Sequence, residues 1–267
     1  MLRPSKFLWM MLWLGWSICT MGVAKSGNIF ILIDDIGTNR AAVDTTLSLP
    51  PQIGISILPH TPYAHYAADK ARHQGRTIFL HAPMEAVHHN RLLGPGALWH
   101  NMRPWQIWTI LDANLKTVPG AIGINHHMGS RLTTMYDSLF WVMAWTKWRR
   151  LMYLDSRTTK DSIVPQVANQ WMVPSAHRDV FLDTTLDEHA IHKAFDRLLQ
   201  LAQRQSLTIA IGHPHPVTLS VLRERLKSLP HHIRLVSRPA SKNLPVNPQQ
   251  HHSLVAADIA KRELDEK

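Results

Sequence analysis

The stretch Asn28-Ile-Phe-Ile-Leu-Ile-Asp-Asp-Ile-Gly37 introduces the pattern of the whole chain, an apolar run that ends in acidic residues. A short, continuous apolar run rich in Ile, Leu and Phe is typical of a strand buried on both faces, as in a parallel sheet. Similar runs recur downstream, and segments of helical periodicity separate them, which is the pattern of β/α units. We predict eight strands: Ile29–Ile33, Ile53–Leu58, Thr77–Leu80, Ala121–Ile124, Leu151–Leu154, Val180–Leu182, Leu207–Ile211 and Ile233–Val236.

The segments between these strands predict the helices and the fold class. A chain of 267 residues with 45% hydrophobic content can bury one sizeable core, so we expect one α/β catalytic domain. A single distorted (β/α) barrel of seven to eight parallel strands accounts best for the pattern, and an open doubly wound sheet is the alternative. The clearest helical segments are Arg40–Leu49, Ala64–His73, Pro104–Thr117, Met135–Trp148, Leu186–Gln203 and Val217–Leu229.

The N-terminal segment departs from this pattern. Arg3 and Lys6 precede an apolar run from Phe7 to Val23 that ends in small residues, which is typical of a secretory signal peptide. An uncleaved membrane anchor is the alternative, because the run approaches the length that spans a bilayer. We therefore predict a periplasmic or secreted protein with a signal peptide or anchor at residues 1–24, a barrel domain at 25–240 and a flexible tail at 241–267.

Charge and cysteine content narrow the classes of function. The formal net charge is +10, and a basic surface can favour anionic polymers, but no dense Lys/Arg run indicates nucleic-acid binding. No glycine-rich phosphate loop follows a strand, which argues against nucleotide binding. The single cysteine, Cys19, lies in the N-terminal segment, so the barrel domain has no disulfide.

Ionisable residues follow several of the predicted strands directly. Because active sites of parallel α/β folds form at the carboxyl ends of the strands, we expect these residues to converge on one rim. One carboxylate and two imidazoles suit a divalent transition metal such as zinc, and do not exclude iron, cobalt, nickel or manganese. Such a site favours amide or ester hydrolysis. The groups are Asp34-Asp35, His81 to Glu85, His126-His127, Asp155 to Arg157 and His213, with a sixth contribution from Arg178-Asp179 or Asp183.

At these residues the chain resembles the divergent polysaccharide deacetylase family, exported bacterial relatives of chitin, peptidoglycan and xylan deacetylases. The resemblance extends from Asn28 to Ser237. It implies a distorted β/α barrel, paired aspartates in the first motif and a terminal histidine motif. It rests on six motifs in order: Ile33-Asp-Asp-Ile-Gly37, Leu80-His-Ala-Pro-Met-Glu85, His127-Met-Gly-Ser130, Leu154-Asp-Ser-Arg-Thr-Thr159, Arg178-Asp-Val-Phe-Leu-Asp183 and Ile211-Gly-His-Pro214.

The resemblance implies roles for individual residues. Asp34 resembles the general base, Asp35 the metal-binding aspartate, and His213 the general acid that protonates the leaving group. The second motif departs from the wider superfamily, since the His-Ser/Thr-x-x-His spacing of mainstream members is absent here. We infer that His81 and His127 supply the two imidazoles from separate strand ends.

Four further residues are candidates for supporting the metal ligands. His126 stands where the family pattern usually has Asn, so we interpret it as a neighbour of the ligands and not as a ligand. Glu85 could orient a ligand through a hydrogen bond, or it could cap the loop that follows. Asp155 and Arg157 are predicted to form an ion pair, and binding of a substrate carbonyl or acid by Arg157 is the alternative.

Three residues are candidates for orienting the base or contacting a sugar. Arg178 and Asp179 could orient Asp34 electrostatically, as a similar charged motif does in the superfamily. The long connection from Ala86 to Arg103 is predicted to lie over one mouth of the barrel. Within it, the indole of Trp99 could stack on a sugar ring.

Together these features predict a metal-dependent hydrolase. We expect it to remove acetyl groups from an envelope polysaccharide or a peptidoglycan-type glycan, with zinc as the metal. One alternative is a non-catalytic envelope protein that keeps the fold and binds a glycan or a protein partner. Another is hydrolysis of a small amide or ester. Membrane contact is expected only through an uncleaved N-terminal segment.

Overall fold

The computed structural model describes residues 26–242, in which parallel strands alternate with helices. The predicted signal peptide or anchor lies outside the described residues, as does the tail from residue 243 onward. Short 3₁₀ turns occur at Asn90–Leu92, Leu132–Thr134 and Leu226–Ser228. The elements are β1 (Gly27–Ile36), α1 (Arg40–Leu47), β2 (Gly54–Ile57), α2 (Ala64–His73), β3 (Ile78–Met84), α3 (Pro104–Lys116), β4 (Gly123–Met128), α4 (Tyr136–Trp148), β5 (Met152–Asp155), α5 (Val164–Gln170), β6 (Ser175–His177), β7 (Val180–Phe181), α6 (Glu188–Ala202), β8 (Leu207–Gly212), α7 (Pro216–Arg225) and β9 (Ile233–Leu235).

All the strand pairs of the sheet are parallel, which confirms the predicted fold class. The strand order is β6-β5-β4-β3-β2-β1-β8-β7, and β9 also pairs with β1. Helix α5 and strand β6 were absent from the sequence prediction. The reason is that the three residues of β6, Ser175-Ala-His177, form no apolar run. No helix in residues 26–242 combines the length and apolar character needed to cross a bilayer.

The two edges of the sheet are joined by the chain itself. Strands β6 and β7 occupy opposite ends of the strand order, yet only Arg178 and Asp179 separate them in sequence. Three peptide units span at most about 11 Å, so the two edges must lie close together. The Arg178 amide donates to the Asp155 carbonyl on one side (2.9 Å), and the Asp179 amide to the Ile209 carbonyl on the other (2.8 Å). The sheet is therefore curled into a distorted barrel, with a two-residue backbone link as its seam.

Side-chain alternation along β1 separates the barrel interior from the helix layer. Ile29, Ile31 and Ile33 pack in the large core formed with the helices. Phe30 and Leu32 belong to a second core, built of strand residues alone, that fills the barrel. Its buried members are Phe30, Leu32, Phe79, Leu154, Ala176, Leu207, Ile209 and Ile211. The next position on the interior face of β1 is residue 34, so this alternation aims a carboxyl group into the upper end of the barrel.

The last described residues stabilise the seam. Ser241 and Lys242, both assigned to the predicted flexible tail, contact β6. The Ser241 hydroxyl donates to the Ser175 carbonyl at 3.3 Å, and the Lys242 backbone amide donates to the same carbonyl at 2.7 Å. The Lys242 ammonium also donates to Asp179 Oδ2 at 2.6 Å. These two residues therefore pack against the barrel.

Replacing Asp179 with asparagine should weaken the seam at neutral pH. Burial raises the pKa of Asp179, but His177, Lys242 and the Ile209 amide outweigh it and lower the pKa to about 2. The folded-state pKa therefore lies below the unfolded value of about 3.9. The ionised carboxylate stabilises the fold at pH values above about 3.9, and this contribution is lost as the pH falls through about 2.

We expect Asp179→Asn to lower the free energy of unfolding at pH 7 by about 1 kcal/mol, after allowance for solvent screening. The difference from the wild type should vanish near pH 2, and denaturant titrations across this range measure it. Asp161→Asn removes an exposed carboxylate elsewhere and is the matched control. A pH-independent loss would mean that the charge of Asp179 contributes nothing.

Candidate active site and metal centre

A bulge at the end of β1 directs two consecutive aspartates to one site. In a regular strand Asp34 and Asp35 would point to opposite faces of the sheet. Here the register with β2 shifts between Ile33 and Ile36, and Asp35 has a left-handed backbone (φ 57°). Aspartate tolerates this region better than most side chains. As a result the His81 Nε2 atom lies 3.7 Å from Asp34 Oδ2 and 3.1 Å from Asp35 Oδ1.

Asp35, His81 and His127 form a cluster that could hold a metal ion. Their candidate ligand atoms all lie within 4.8 Å of one another. Asp35 Oδ1 is 3.1 Å from His81 Nε2 and 2.9 Å from His127 Nδ1. Despite these short distances, Asp35 Oδ1 is buried and accepts no properly directed hydrogen bond from the described residues.

The donor set fits a divalent cation. Ligand atoms around a tetrahedral zinc ion, at Zn–N and Zn–O distances near 2.0 Å, stand about 3.3 Å apart. The distances from Asp35 Oδ1 to the two imidazole nitrogens, 3.1 and 2.9 Å, are close to that value. A buried carboxylate oxygen that faces two imidazole nitrogens without a directed hydrogen bond is what a shared cation would satisfy. We therefore regard these three residues as a candidate metal centre.

The local charges keep the two aspartates chemically distinct. Burial raises the pKa of Asp35, but its contacts with His127 and His81 outweigh burial and hold that pKa well below the usual range. For Asp34 the balance is reversed, since burial dominates the opposing charges of His81 and His213 and raises the pKa. Asp35 is thus held as an anion, whereas Asp34 has the character of a carboxyl group poised to exchange a proton.

An asparagine that the sequence analysis did not select connects these groups. Asn125 Nδ2 donates to Asp34 Oδ1 and Oδ2 at 2.9 and 3.1 Å, and Asn125 Oδ1 lies 2.9 Å from His81 Nδ1. The Ser56 hydroxyl donates to the same Asn125 oxygen. Asn125 is directly opposite His81 in the β3–β4 register. It also shares the inner face of β4 with His127, so the period-two pattern of the strand could have identified it.

His213 is paired with a second buried carboxylate, Asp183. His213 Nδ1 lies 3.0 Å from Asp183 Oδ1, while the His213 amide and the Thr218 hydroxyl donate to Asp183 Oδ2 at 2.7 and 2.9 Å. His213 Nε2 faces the candidate metal centre and lies 3.9 Å from Asp35 Oδ2. Asp183, His213 and His215 could also group around a cation. The Asp183 oxygens are already engaged by these donors, so the arrangement favours an Asp–His dyad.

This dyad makes a cationic His213 at neutral pH. Burial lowers the pKa of His213, but the hydrogen bond to Asp183 and the charges of Asp35 and Asp34 outweigh it and raise the pKa to about 9. A protonated imidazole that faces the candidate metal centre could donate a proton to a leaving group.

Replacing Asp183 with asparagine should lower the pKa of His213 in the metal-free protein towards the ordinary value of about 6.5. NMR titration of the imidazole carbon-bound protons measures this pKa directly. Since the folded-state value is raised, the stabilisation by the dyad is fully present below about pH 6.5 and is lost as the pH rises through about 9. The stability loss in Asp183→Asn should therefore be largest at the acidic end of this range.

Asp187→Asn provides the control for that experiment. It makes the same charge change in the same loop, and asparagine caps a helix about as well as the Asp187 side chain, which accepts from the Ala190 amide. An equal shift of the His213 titration in both variants would mean that general charge, not the Asp183 contact, sets the pKa.

The structure places His126 outside the metal cluster. It lies on the opposite face of β4 from Asn125 and His127, with Nδ1 3.1 Å from the Tyr153 hydroxyl and Nε2 3.7 Å from Asp155 Oδ1. Burial lowers the pKa of His126 to about 4, so its ring is neutral at pH 7. Its side chain contacts none of the three candidate ligands directly.

Glu85 anchors the long loop and does not contact His81. Its Oε2 atom accepts from the His100 amide (2.8 Å) and lies 2.7 Å from His100 Nδ1, while Oε1 is 3.5 Å from Arg131 Nε. The loop returns beside β3, where the Leu98 amide donates to the Pro83 carbonyl, and the partly buried Trp99 follows. Glu85 thus fixes the second half of this loop against the barrel rim.

The predicted Asp155–Arg157 ion pair is absent from the described residues. The Asp155 carboxylate instead accepts from the Arg157 amide (2.8 Å) and the Ser162 hydroxyl (2.9 Å), because Arg157 has a left-handed backbone (φ 48°) that brings its amide to the carboxylate. The Arg178 guanidinium donates to the carbonyls of Ser156 (2.6 Å) and Arg157 (2.7 Å).

Of the two residues predicted to orient Asp34 electrostatically, only Arg178 interacts with its charge. No ion pair joins Arg178 to Asp34 in residues 26–242, although the charge of Asp34 favours the charged form of Arg178 against the effect of burial. Asp179 binds Lys242, His177 and the Ile209 amide instead. Asp179 therefore belongs to the seam and not to the metal cluster.

Comparisons with known proteins are consistent with this architecture. The model of a family described as divergent polysaccharide deacetylase matches residues 31–241. The uncharacterized protein YibQ of Escherichia coli (strain K12) is 34% identical over 220 residues, covering 82% of this chain and 69% of YibQ. An uncharacterized protein of Haemophilus influenzae (strain ATCC 51907) is 33% identical over 206 residues, covering 77% of this chain and 73% of that protein.

The fold is also similar to a solved structure. The crystal structure of an uncharacterized protein from Agrobacterium tumefaciens C58 matches with a TM-score of 0.73 at 19% identity, covering 80% of this chain and 89% of that chain. At this identity the likeness bears on the fold alone.

Proposed function

Because the chain belongs to the divergent polysaccharide deacetylase family, we propose that it is a metal-dependent hydrolase that removes acetyl groups from a glycan. One observation carries the proposal: Asp35 and His127, near the carboxyl ends of β1 and β4, converge with His81 in the middle of β3. Asp34 and His213 lie beside them. This is a donor set for a cation together with one candidate base and one candidate acid.

A divalent cation held by these three residues, with zinc as the expected metal, would lower the pKa of a water molecule and polarise the acetyl carbonyl. Asp34, whose pKa burial raises, is placed to accept a proton from the attacking water. His213, held by Asp183, donates a proton to the leaving nitrogen or oxygen. The acyl C–N or C–O bond breaks, and the products are acetate and a free amine or hydroxyl.

The substrate and location form the finer part of the proposal. We assign the substrate to acetylated envelope polysaccharides or peptidoglycan-type glycans, in keeping with the family description. A periplasmic or secreted location is supported by the basic and apolar pattern of residues 1–24. Nucleotides and nucleic acids remain outside the proposed ligands, since the sequence carries neither a phosphate loop nor a dense basic run.

The test is acetate release by the zinc-loaded protein, without an affinity histidine tag, from a panel of N-acetylated and O-acetylated glycans. We expect acetate and deacetylated sugar in equal amounts, lost after chelation and restored by added zinc. No release from any glycan by protein with stoichiometric zinc would overturn the proposal. Glycan binding without turnover, unchanged in Asp34→Asn, would instead favour the non-catalytic alternative.

A further inference from the structure

We propose that Asn125 is the positioning residue that couples the candidate base to the candidate metal centre. Its side-chain amide selects the His81 nitrogen that faces the cation, and it holds the Asp34 carboxyl group beside that imidazole, apart from the three ligands. The inference deepens the proposed function, because it rests on Asp35, His81 and His127 as cation ligands.

The hydrogen-bond network determines which end of the amide faces which neighbour. The Ser156 hydroxyl donates its single proton to the His126 carbonyl (3.0 Å), so Ser156 can only accept from Asn125 (3.2 Å). The nitrogen of the amide must therefore lie on the side of Ser156 and Asp34. The amide oxygen then faces His81 and Ser56, consistent with the bond that the Ser56 hydroxyl donates to it.

This orientation fixes the tautomer of His81. Since Asn125 Oδ1 can only accept, the His81 Nδ1 atom that lies 2.9 Å from it must carry a proton. His81 Nε2 is then the nitrogen available for a cation, and it is the atom that lies 3.1 Å from Asp35 Oδ1. Hydrogen bonds of this kind set the tautomer and the orientation of metal-binding histidines.

The same amide keeps Asp34 in place. The amide nitrogen donates to both Asp34 oxygens, while the amide oxygen faces His81. Because the amide is planar and rigid, the distance between its nitrogen and its oxygen is fixed. Asn125, Asp34, His81 and Ser56 are each at most 2% exposed, so bulk water does not compete for these bonds. The base and the ligand are therefore coupled through one rigid group.

Two substitutions separate the two halves of this role. Asn125→Asp keeps an oxygen that accepts from His81 Nδ1–H, but the ionised carboxylate cannot donate to Asp34 and places a second negative charge beside it. Asn125→Leu is similar in size and removes both contacts. Ser56→Ala is the matched control, because it removes a different donor to Asn125 Oδ1 and leaves the His81 and Asp34 contacts unaltered.

The readouts are imidazole nitrogen-15 NMR spectra of the zinc-loaded protein and its zinc affinity by competition with a chromogenic chelator. In the wild type, Ser56→Ala and Asn125→Asp we expect His81 to bind zinc through Nε2, with a proton on Nδ1. In Asn125→Leu that preference should be lost, and zinc affinity should fall about 10- to 100-fold. Asn125→Asp should retain zinc while acetate release falls about 100-fold, because Asp34 has lost its donor.

Each result decides the inference. If Asn125→Leu binds zinc as tightly as the wild type, still through His81 Nε2, then Asn125 is only a packing residue and the inference is overturned. If the leucine variant does not fold, Asn125→Asp decides alone: zinc retained with the rate lost is the expected pair, and zinc lost with the rate overturns it. Zinc bound through His81 Nδ1 in the wild type refutes only this inference, whereas absence of zinc uptake refutes the metal-dependent function as well.

Discussion

Asp35→Asn should lose stoichiometric metal, and acetate release should fall by about 10³-fold or more, since a hydrolase of this type depends on its cation for the attacking water and for carbonyl polarisation. Asp35 supplies the only carboxylate among the three candidate ligands, and its Oδ1 atom lies between the imidazoles of His81 and His127. Asparagine also tolerates a left-handed backbone, so the substitution removes the charge and leaves the bulge intact.

The measurement is metal content by elemental mass spectrometry on tag-free protein, alongside acetate release. Asp69→Asn makes the same chemical change on an exposed position of α2 and should retain both metal and activity. Wild-type metal affinity in Asp35→Asn would show that this carboxylate is not a ligand and would move the metal centre elsewhere on the rim.

Asp34→Asn is expected to separate metal binding from catalysis. Asp34 is buried, its pKa is raised by burial, and Asn125 donates to both of its oxygens. An asparagine at this position can still accept from Asn125, but it cannot take a proton from water. We expect metal content to remain at the wild-type level while kcat falls about 10²- to 10⁴-fold, the usual range for loss of a general base.

Parallel measurement of metal content and steady-state kinetics tests this separation. Loss of both metal and rate in Asp34→Asn would assign Asp34 to the ligands. An unchanged kcat would remove it from the mechanism altogether. Comparison with Asp35→Asn is informative because the two substitutions are chemically identical and one residue apart.

The order of strands and helices was predictable because buried parallel strands produce apolar runs that periodicity reveals. The seam was not, since Ser175-Ala-His177 has no such run and nothing local indicates that β6 and β7 join opposite edges of the sheet. The placement of these strands depends on long-range pairing, which a residue pattern does not encode locally.

The three candidate metal ligands were easier to predict from the sequence than the residues around them. His81 and His127 directly follow the predicted strands and prove to lie within β3 and β4, which are neighbours in the sheet, so the pairing of these strands brings them together. Asn125 was not predicted because it is not ionisable, and its importance comes from burial and from partners on four other strands or strand ends. The contact of Glu85 with His100 depends on how a long loop returns to the barrel, which sequence spacing leaves open.

The left-handed residue at the end of β1 limits how this site can be transplanted. A designer who copies only the Asp-Asp pair onto a regular strand would direct one carboxylate into the barrel and the other into the surrounding helices. The portable unit is the whole five-residue segment from Ile33 to Gly37, together with the neighbouring strand against which its register slips. Grafting this unit onto another parallel barrel requires a host backbone with one extra residue at that rim.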